Sequence, residues 1–356
     1  MVHFRQEWRT RHSKGFNPVS EDFYQGKTVL ITGGTGSLGH ALVRRLLKTD
    51  LRRIIIYSRD EFKQVNMARL LAEQKDRLRF FIGDVRDRER LYRAFVGVDV
   101  VIHAAALKHV DLMEYNPIEA VSTNITGATN ILDAAIDRGV SKVIALSTDK
   151  AVNPINIYGA TKLVSDKLFR GAHAYAGSKG PAFMIVRYGN VMGSRGSVVP
   201  LFRQLKAQGA KTLPITDPRM TRFWITMDQG VDLVIKSMEL GTGGEIFISR
   251  IPSCRITDVA RAIHPDAEHE IIGIRPGEKL HEQLLTEDEA RSTFDYGDHM
   301  VVYPLHALDI PDERIRPGGK QVPGDFTFTS EHNPDLLSLE DLQKMVADLP
   351  ERRGAR

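Results

Sequence analysis

The sequence predicts an α/β protein in which a doubly wound parallel sheet is followed by a smaller mixed α/β domain. Short β-branched runs alternate with amphipathic helical patterns over the first half of the chain. A glycine-rich turn follows the first of these runs. The chain has 356 residues, of which 42% are hydrophobic and 26% charged, so it can form a large and a smaller domain with ordinary globular composition.

Six β-branched runs are the predicted strands, over residues 28–32, 53–57, 78–82, 99–103, 142–147 and 183–187. Five segments with apolar residues three and four apart are the predicted helices, over residues 38–47, 61–71, 89–95, 119–136 and 158–168. Because a helix separates each strand from the next, the strands should run parallel with helices on both faces, as in a Rossmann-like fold.

The glycine-rich turn joins the first predicted strand to the first predicted helix. Its glycines recur every third residue, which lets the backbone approach a pyrophosphate at the N-terminus of the helix. The turn therefore predicts a dinucleotide site. Its predicted cofactor contacts are Gly33, Thr35, Gly36, Ser37, Leu38 and Gly39.

The end of the second strand favours NADP as the dinucleotide. Ser58, Arg59 and Asp60 stand there, with Lys63 one turn further on. A guanidinium and an ammonium suit a 2′-phosphate, although an acidic residue such as Asp60 is typical of sites that bind the 2′-hydroxyl of NAD. The adenine should lie between residues that follow the third strand, and small residues after the fourth strand leave room for the cofactor. These further predicted contacts are Asp84, Val85, Ala104 and Val191.

The chain divides into four predicted segments. Residues 1–24 form a basic N-terminal arm, and residues 25–192 form the NADP-binding Rossmann domain. After about Gly193 the alternation loosens into pieces punctuated by Pro and Gly. Residues 193–350 are therefore predicted as a substrate-binding cap that is partly interleaved with the Rossmann domain, and residues 351–356 as a tail.

Composition argues against several classes of protein. A net charge of +4 is too small an excess for extensive nucleic-acid binding. Cys254 is the single cysteine, so neither an internal disulfide nor a Cys-based zinc site is expected, and the stretch 264–269 lacks a ligand set for a metal. Because the chain has no long apolar run and no apolar N-terminal stretch, we predict a cytoplasmic protein without a membrane or nucleic-acid partner.

Tyr158 and Lys162 form a Y-x-x-x-K pair after the fifth strand. Residues four apart lie on one face of a helix, so the ammonium is expected to lower the pKa of the phenol and to contact the ribose of the cofactor. Tyr158 is the predicted general acid and base, and both residues are also predicted cofactor contacts.

These motifs together resemble the extended short-chain dehydrogenase/reductase family. Six blocks make the sequence similar to the inverting UDP-N-acetylglucosamine 4,6-dehydratases within it: STDKA at 147–151, NPIN at 153–156, YGATK at 158–162, RYGNV at 187–191, GSRGSVVP at 193–200 and RPGEK at 275–279. The resemblance implies that Thr148, Tyr158 and Lys162 form a catalytic triad. It also implies a homo-oligomer, either a dimer or a hexamer, and the first step of pseudaminic acid biosynthesis. The substrate residues that it implies are Lys108, Asn190, Arg195, Arg222 and Arg275.

The resemblance further implies roles for Asp149 and Lys150. Oxidation at C4 of the sugar acidifies the neighbouring C5–H, which a neutral Lys150 would remove while a protonated Asp149 donates to the departing C6 hydroxyl. Reprotonation of C5 from the opposite face inverts that centre. Lowering the pKa of a lysine from about 10.4 to about 7 requires about 4 to 5 kcal/mol. We expect burial, Lys162 and the cationic nicotinamide to supply it.

Four alternative functions compete with this interpretation: a UDP-sugar 4-epimerase, a retaining dehydratase, a dehydratase that epimerises C5 further, and a non-catalytic nucleotide-sensing module. Retaining sugar dehydratases carry Glu where Lys150 stands, and 5-epimerising relatives tend to carry Met in place of Tyr158. A sensor has no need of an acid/base phenol. The inverting dehydration is therefore the favoured function.

Overall fold

The computed structural model describes residues 21–177, 179–194, 196–304 and 315–349. Most of the predicted basic arm and the whole of the predicted tail lie outside these ranges. The strands are β1 Thr28–Thr32, β2 Arg53–Ser58, β3 Leu78–Ile82, β4 Val100–His103, β5 Lys142–Leu146, β6 Ala182–Arg187, β7 Asn190–Val191, β8 Thr212–Ile215, β9 Thr221–Ile225, β10 Ile246–Ser249, β11 Ser253–Arg255, β12 Glu268–Ile271, β13 Gln283–Leu285, β14 Thr293–Asp295, β15 His299–Val302, β16 Lys320–Gln321 and β17 Phe328–Thr329.

The helices are α1 Ser37–Leu46, α2 Glu61–Leu70, α3 Arg88–Ala94, α4 Val110–Tyr115, α5 Pro117–Val121, α6 Gly127–Asp137, α7 Ile157–Tyr175, α8 Val198–Ala207, α9 Met227–Leu240, α10 Ile256–Ile263, α11 Glu287–Ala290 and α12 Leu339–Ala347. The six predicted strands are confirmed with bounds that differ by at most one residue. The predicted helices are also found, although the last of them continues to Tyr175.

The main sheet has the strand order β3-β2-β1-β4-β5-β6-β10-β15-β14-β16 among the described residues. Neighbouring strands from β3 to β10 are parallel, and the remaining pairs are antiparallel. The chain order reverses between β1 and β4, and open sheets of this kind bind ligands at the carboxyl ends of the strands beside such a reversal. The predicted doubly wound fold is confirmed, and it places a crevice above β1 and β4.

Apolar residues of the sheet pack on both faces. Leu42, Val234 and Met238 of α1 and α9 cover one face, and Leu91 and Ile131 of α3 and α6 cover the other; all five are fully buried. Complete burial of a Leu, Ile or Met side chain stabilises a fold by about 1.5–3 kcal/mol. The two helical layers therefore hold the sheet rigid beneath the crevice.

The chain beyond residue 193 contributes to two places. Strands β10, β15, β14 and β16 extend the main sheet. Among the described residues the other late strands form three small sheets, β7-β9-β11, β8-β12 and β13-β17. A third core that contains Phe202, Trp224 and Leu342 supports the first two of these small sheets, while β13 and β17 pack in the core that contains Leu91 and Ile131. The residues after 193 therefore contribute both to the cap and to the Rossmann sheet. The domain boundary at residue 193 stays a prediction.

The helix predicted over residues 119–136 is interrupted. Residues Ser122–Thr126 form a π-helical turn between α5 and α6. Within this turn Asn124 accepts a hydrogen bond from Leu107 N at 2.9 Å and donates to Leu107 O at 3.1 Å and to Thr161 Oγ1 at 3.0 Å. Such turns often mark functional sites. Here the widened turn ties the loop after β4 to α7, on which Tyr158 stands.

Candidate active site

A cleft of about 1370 Å³ lies above the carboxyl ends of the parallel strands. Its lining contains every predicted cofactor residue and four predicted catalytic residues, Thr148, Lys150, Tyr158 and Lys162. The fifth, Asp149, is completely buried under the floor. Four of the five predicted substrate residues also line the cleft, and they are Lys108, Asn190, Arg222 and Arg275. Arg195, the fifth, lies outside the described residues.

The glycine turn fits a dinucleotide. Gly33 has a φ of +65°, and a Cβ atom there would stand 2.9 Å from the backbone of Ala105. A Cβ atom on Gly39 would stand 2.3 Å from the carbonyl oxygen of Gly34, so α1 can approach β1 only because residue 39 is glycine. The cap residue of α1 is Gly36, which has no side chain to occupy the first amide groups of the helix. Those amides are available to a pyrophosphate.

The far end of the cleft carries the residues predicted to read the 2′ position. Asp60 caps α2 by accepting a hydrogen bond from Lys63 N at 2.9 Å, and its second oxygen pairs with the Lys63 ammonium. The Arg59 guanidinium is half exposed and lies 3.3 Å from Asp84 Oδ2. Burial would raise the pKa of Asp84, but the hydrogen bonds from Arg86 and the charge of Arg59 lower it below its usual value. Asp60 is therefore engaged in a helix cap, and Arg59 remains open to solvent.

The floor of the cleft is the turn after β5. Thr148 caps a short 3₁₀ turn over Asp149–Ala151, and α7 begins beside it with Asn156 accepting a hydrogen bond from Gly159 N at 2.7 Å. A Cβ atom on Gly159 would stand only 2.1 Å from the carbonyl oxygen of Lys150. Glycine at this position lets the first turn of α7 come against the Lys150 turn, and so brings Tyr158 beside Asp149 and Lys150.

The Lys150 amine has three acceptors around it. Its Nζ lies 3.0 Å from Asp149 Oδ1, 3.1 Å from Glu282 Oε1 and 3.2 Å from Asn190 Oδ1. Thr148 Oγ1 also donates to Asp149 Oδ1, at 2.9 Å. Glu282 was missed by sequence reasoning, although it follows the RPGEK block by three residues. The local sequence around a single carboxylate in the cap does not indicate which lysine that carboxylate will contact.

These contacts bear on two expectations about pKa values and correct the one for Lys150. Desolvation lowers the pKa of Lys150, as expected, but the charges of Asp149 and Glu282 outweigh it and raise that pKa above its usual value. Desolvation also raises the pKa of Tyr158 to about 12, and the cation that opposes this shift most is Lys150. The lowering of the phenol pKa by Lys162 stays a prediction.

Lys162 is part of a buried network of charged residues behind the floor of the cleft. Desolvation lowers its pKa, and the charge of Asp166, one turn further along α7, raises it. Asp166 Oδ2 accepts a hydrogen bond from Ser147 Oγ at 2.7 Å and lies 3.6 Å from Arg187 Nη2. Arg187 in turn donates to Glu289 at 2.9 Å. The network anchors Lys162 beneath Tyr158.

The predicted substrate cations differ in their surroundings. Arg275 is half exposed at the rim and lies 3.5 Å from Asp111 Oδ2. Arg222 is buried and donates to the carbonyl oxygens of Thr221 at 2.7 Å, Leu280 at 3.1 Å and Lys279 at 2.9 Å. Arg222 therefore holds the 279–282 segment against β9, with part of its surface facing the cleft.

The comparison with protein families decides the classification. The sequence profile of the polysaccharide biosynthesis protein family matches residues 29–304. The chain belongs to this family. As a member of the polysaccharide biosynthesis protein family, it is 50% identical over 329 residues to a UDP-N-acetylglucosamine 4,6-dehydratase (inverting) of Campylobacter jejuni, covering 91% of this chain and 98% of that one. It is also 42% identical to a UDP-glucose 4-epimerase of Rickettsia conorii, over 91% of this chain and 96% of that one.

Solved structures of similar proteins share the fold of this family member. Pen from Bacillus thuringiensis is 36% identical, with a TM-score of 0.83 over 92% of this chain and 98% of that one. The dTDP-glucose 4,6-dehydratase DesIV from Streptomyces venezuelae, with NAD bound, is 27% identical, with a TM-score of 0.65 over 71% of this chain and 86% of that one. The predicted resemblance to inverting dehydratases of the extended short-chain dehydrogenase/reductase family is confirmed. No described helix combines the length and apolar character needed to cross a membrane.

Proposed function

We propose that this chain dehydrates UDP-N-acetylglucosamine to the 4-keto-6-deoxy sugar with inversion at C5, giving UDP-2-acetamido-2,6-dideoxy-β-L-arabino-hex-4-ulose. The contact between Lys150 and Asp149 beside Tyr158 carries the proposal. It puts a base and an acid on the floor of the cleft. The 50% identity to a relative named for this reaction supports the same conclusion. We further propose that the product enters pseudaminic acid biosynthesis, as the resemblance implies.

NADP is the proposed cofactor. The glycine turn fits its pyrophosphate, and Arg59 and Lys63 at the end of β2 suit a 2′-phosphate. Asp60 caps α2 and pairs with Lys63, so both of these residues are already engaged, and the half-exposed Arg59 is the cation that chiefly supports NADP over NAD. When bound, the cofactor supplies the redox chemistry, oxidising C4 of the sugar and later reducing C6.

The protein moves the protons of the reaction. Tyr158 takes the proton of the C4 hydroxyl, assisted by the Lys150 charge and by the hydrogen bond with Thr148, both of which lower its pKa against the effect of burial. The C4 ketone then acidifies the C5–H. The Lys150 amine removes that proton, and Asp149 donates a proton to the C6 hydroxyl as it leaves as water.

The substrate diphosphate is proposed to bind at the cap side of the cleft. Lys108 and Arg275 are two of the cations that line the cleft, and Asn190 offers an amide beside Lys150. Arg195 is proposed as a further contact on the basis of the resemblance, while Arg222 acts mainly through the 279–282 segment. The homo-oligomer stays a prediction.

The test is incubation of the purified protein with UDP-N-acetylglucosamine in heavy water, followed by NMR of the product. We expect a 4-keto-6-deoxy sugar with solvent deuterium at C5 and inverted configuration there, without stoichiometric accumulation of NADPH. Retention at C5 would contradict the inverting reaction, and unchanged substrate would contradict catalysis altogether.

A UDP-sugar 4-epimerase is the second candidate, because relatives 42% identical carry that name. An epimerase needs Tyr158 but has no use for an acid and base next to C5 and C6. In the same NMR experiment this function would give UDP-N-acetylgalactosamine with no deuterium at C5.

A further inference from the structure

Glu282 is a buried carboxylate at the floor of the cleft that no motif assigned. Only 2% of its surface is exposed, and its Oε1 lies 3.1 Å from Lys150 Nζ and 3.7 Å from Arg222 Nε. Its backbone is fixed on both sides, since Glu282 N donates to Ser330 Oγ at 2.9 Å and Ser330 N donates to Glu282 O at 2.8 Å. Among the described residues, its Oε2 has no hydrogen-bond partner. The side chain is therefore held toward the amine.

An ammonium group has three N–H donors, and Lys150 has three acceptors within 3.2 Å. These are Asp149, Asn190 and Glu282. The charged amine has no free electron pair, so it must lose a proton before it can take one from a substrate. The two carboxylates and the ammonium together carry one net negative charge.

We propose that Glu282 is a positioning residue that orients the Lys150 amine and fixes the number of protons shared by Asp149 and Lys150. The inference rests on the proposed function and deepens it. Glu282 contributes one of the three acceptors that fix the direction of the amine, and it supplies the second negative charge of the site.

The proton balance of the dehydration follows from this arrangement. A neutral amine at Lys150, a protonated Asp149 and an ionised Glu282 carry the same net charge as the resting site. One proton therefore moves from Nζ to Oδ1 across 3.0 Å, which breaks an N–H bond and forms an O–H bond. The amine then takes the C5 proton, and the C5–H electron pair forms the C5–C6 double bond. The C6 hydroxyl leaves with the Asp149 proton as water, so elimination restores the resting charges without a proton from solvent.

The other ionisable groups around this site come from several elements. Arg222 of β9, Lys279 of the cap segment and Tyr158 of α7 face the three residues, and Thr148 contributes a neutral hydroxyl. Desolvation and the Glu282 charge raise the pKa of Asp149, and the Glu282 charge also raises that of Lys150. The Arg222 charge acts in the opposite direction on Lys150. Removal of the Glu282 charge should therefore lower the proton affinity of Asp149 and that of Lys150.

The experiment is the pH dependence of kcat/KM for formation of the 4-keto-6-deoxy sugar in wild-type protein and in Glu282→Gln. The acidic limb of the profile reports the binding of a second proton to the pair formed by Asp149 and Lys150. The alkaline limb reports the loss of the one proton that the pair shares. We expect both limbs to move to lower pH by about one unit or more in Glu282→Gln. Glu282→Asp retains the charge and should return both limbs toward their wild-type positions.

Glu245→Gln is the matched control, because it removes an equally buried carboxylate that accepts hydrogen bonds from Thr242 and Gly243 and does not touch Lys150. Its limbs should coincide with those of the wild type. Limbs that stay in place in Glu282→Gln, or that move equally in Glu245→Gln, would overturn the inference.

A second variant covers the case in which Glu282→Gln does not fold. Asn190→Asp adds a negative charge to the atom 3.2 Å from Nζ, and both limbs should then move to higher pH. An unmoved profile in that variant would also overturn the inference. Wild-type protein that forms no 4-keto-6-deoxy sugar would refute the proposed function and this inference with it. Wild-type activity combined with unmoved limbs would refute the inference alone.

Discussion

The chemistry of Lys150 depends more on its neighbours than on its own side chain. About a fifth of that side chain, 22%, is open to the cleft, and desolvation alone would favour the neutral amine. Asp149 and Glu282, each within about 3 Å, favour the charged form instead. A charged lysine between two carboxylates is a proton donor and cannot act as an acceptor. The residue can therefore act as a base only when its proton has a place to go, and Asp149 is the nearest one.

Replacement of Lys150 by Ala should leave cofactor binding intact and abolish elimination of water. The amine is the only proposed acceptor of the C5 proton, and loss of a general base lowers rates by about 10²–10⁴-fold. The product is measured by NMR and NADP binding by calorimetry. Lys167→Ala, on the exposed side of α7, is the control and should behave as wild type. Full turnover in Lys150→Ala would remove this lysine from the mechanism.

Arg59→Ala and Lys63→Ala should each weaken NADP binding and leave NAD binding nearly unchanged. A hydrogen bond to a charged group contributes about 1.5–3 kcal/mol, so each change should raise the Kd for NADP by about tenfold or more. The Kd values of both cofactors are measured by calorimetry in the same buffer. Lys75→Ala, an exposed cation outside the cleft, should alter neither. An equal loss for NAD and NADP would contradict a 2′-phosphate site.

At the scale of elements, α7 carries the site. Its first turn presses on the Lys150 turn at Gly159, its second turn carries Lys162, and Asp166 on the same face reaches the charge network below β5 and β6. The π-helical turn before α6 ties the loop after β4 to the same helix through Asn124. Because these contacts meet on one rigid helix, the positions of Tyr158 and Lys150 are coupled.

Gly159→Ala should destabilise the protein and lower its activity together. Its Cβ would overlap the Lys150 carbonyl oxygen, which is backbone and cannot rotate away. We expect a loss of about 2 kcal/mol or more in the free energy of unfolding, in the range of overpacking in a core. Denaturant unfolding measures it.

Gly171→Ala is the matched control in the same helix. Outside the helix's own neighbouring backbone, no heavy atom of the described residues lies within 4 Å of the position that the added methyl group would take. The change should therefore stabilise α7 by about 0.5–1 kcal/mol through helix propensity. A similar loss in both variants would show that the Lys150 contact does not explain the effect.

At the scale of the whole molecule, the C-terminal part of the chain adds strands to the sheet that the N-terminal part forms. Strand β10 pairs in parallel with β6, and β15 pairs antiparallel with β10. The β15 end of the sheet is joined to α9 by an ion pair between Lys236 and Asp298, and Asp298 also hydrogen-bonds His299 at 2.5 Å. The cap thus cannot separate from the sheet without breaking the β10 pairing.

Asp298→Asn should destabilise the protein at neutral pH and have little effect in acid. Burial would raise the pKa of Asp298, but His299 and Lys236 lower it far below its usual value. A carboxyl with a lowered pKa in the folded state stabilises the protein above its unfolded pKa, about 3.9, and this stabilisation is lost as the pH falls through the folded-state value. Denaturant unfolding at a series of pH values measures the difference between variant and wild type. A difference that stayed constant into acid would contradict the ion pair.

The sequence by itself determined the order of strands and helices, the glycine turn and the positions of Thr148, Tyr158 and Lys162. These follow from local patterns, because residue spacing fixes which side chains share a helix face or end a strand. Only the tertiary structure decided that β10 and β15 rejoin the main sheet and that Glu282 meets Lys150. Electrostatic and packing contacts between segments far apart in the chain have no period in the sequence. The direction of the Lys150 pKa was therefore open until the fold brought both carboxylates within about 3 Å of its amine.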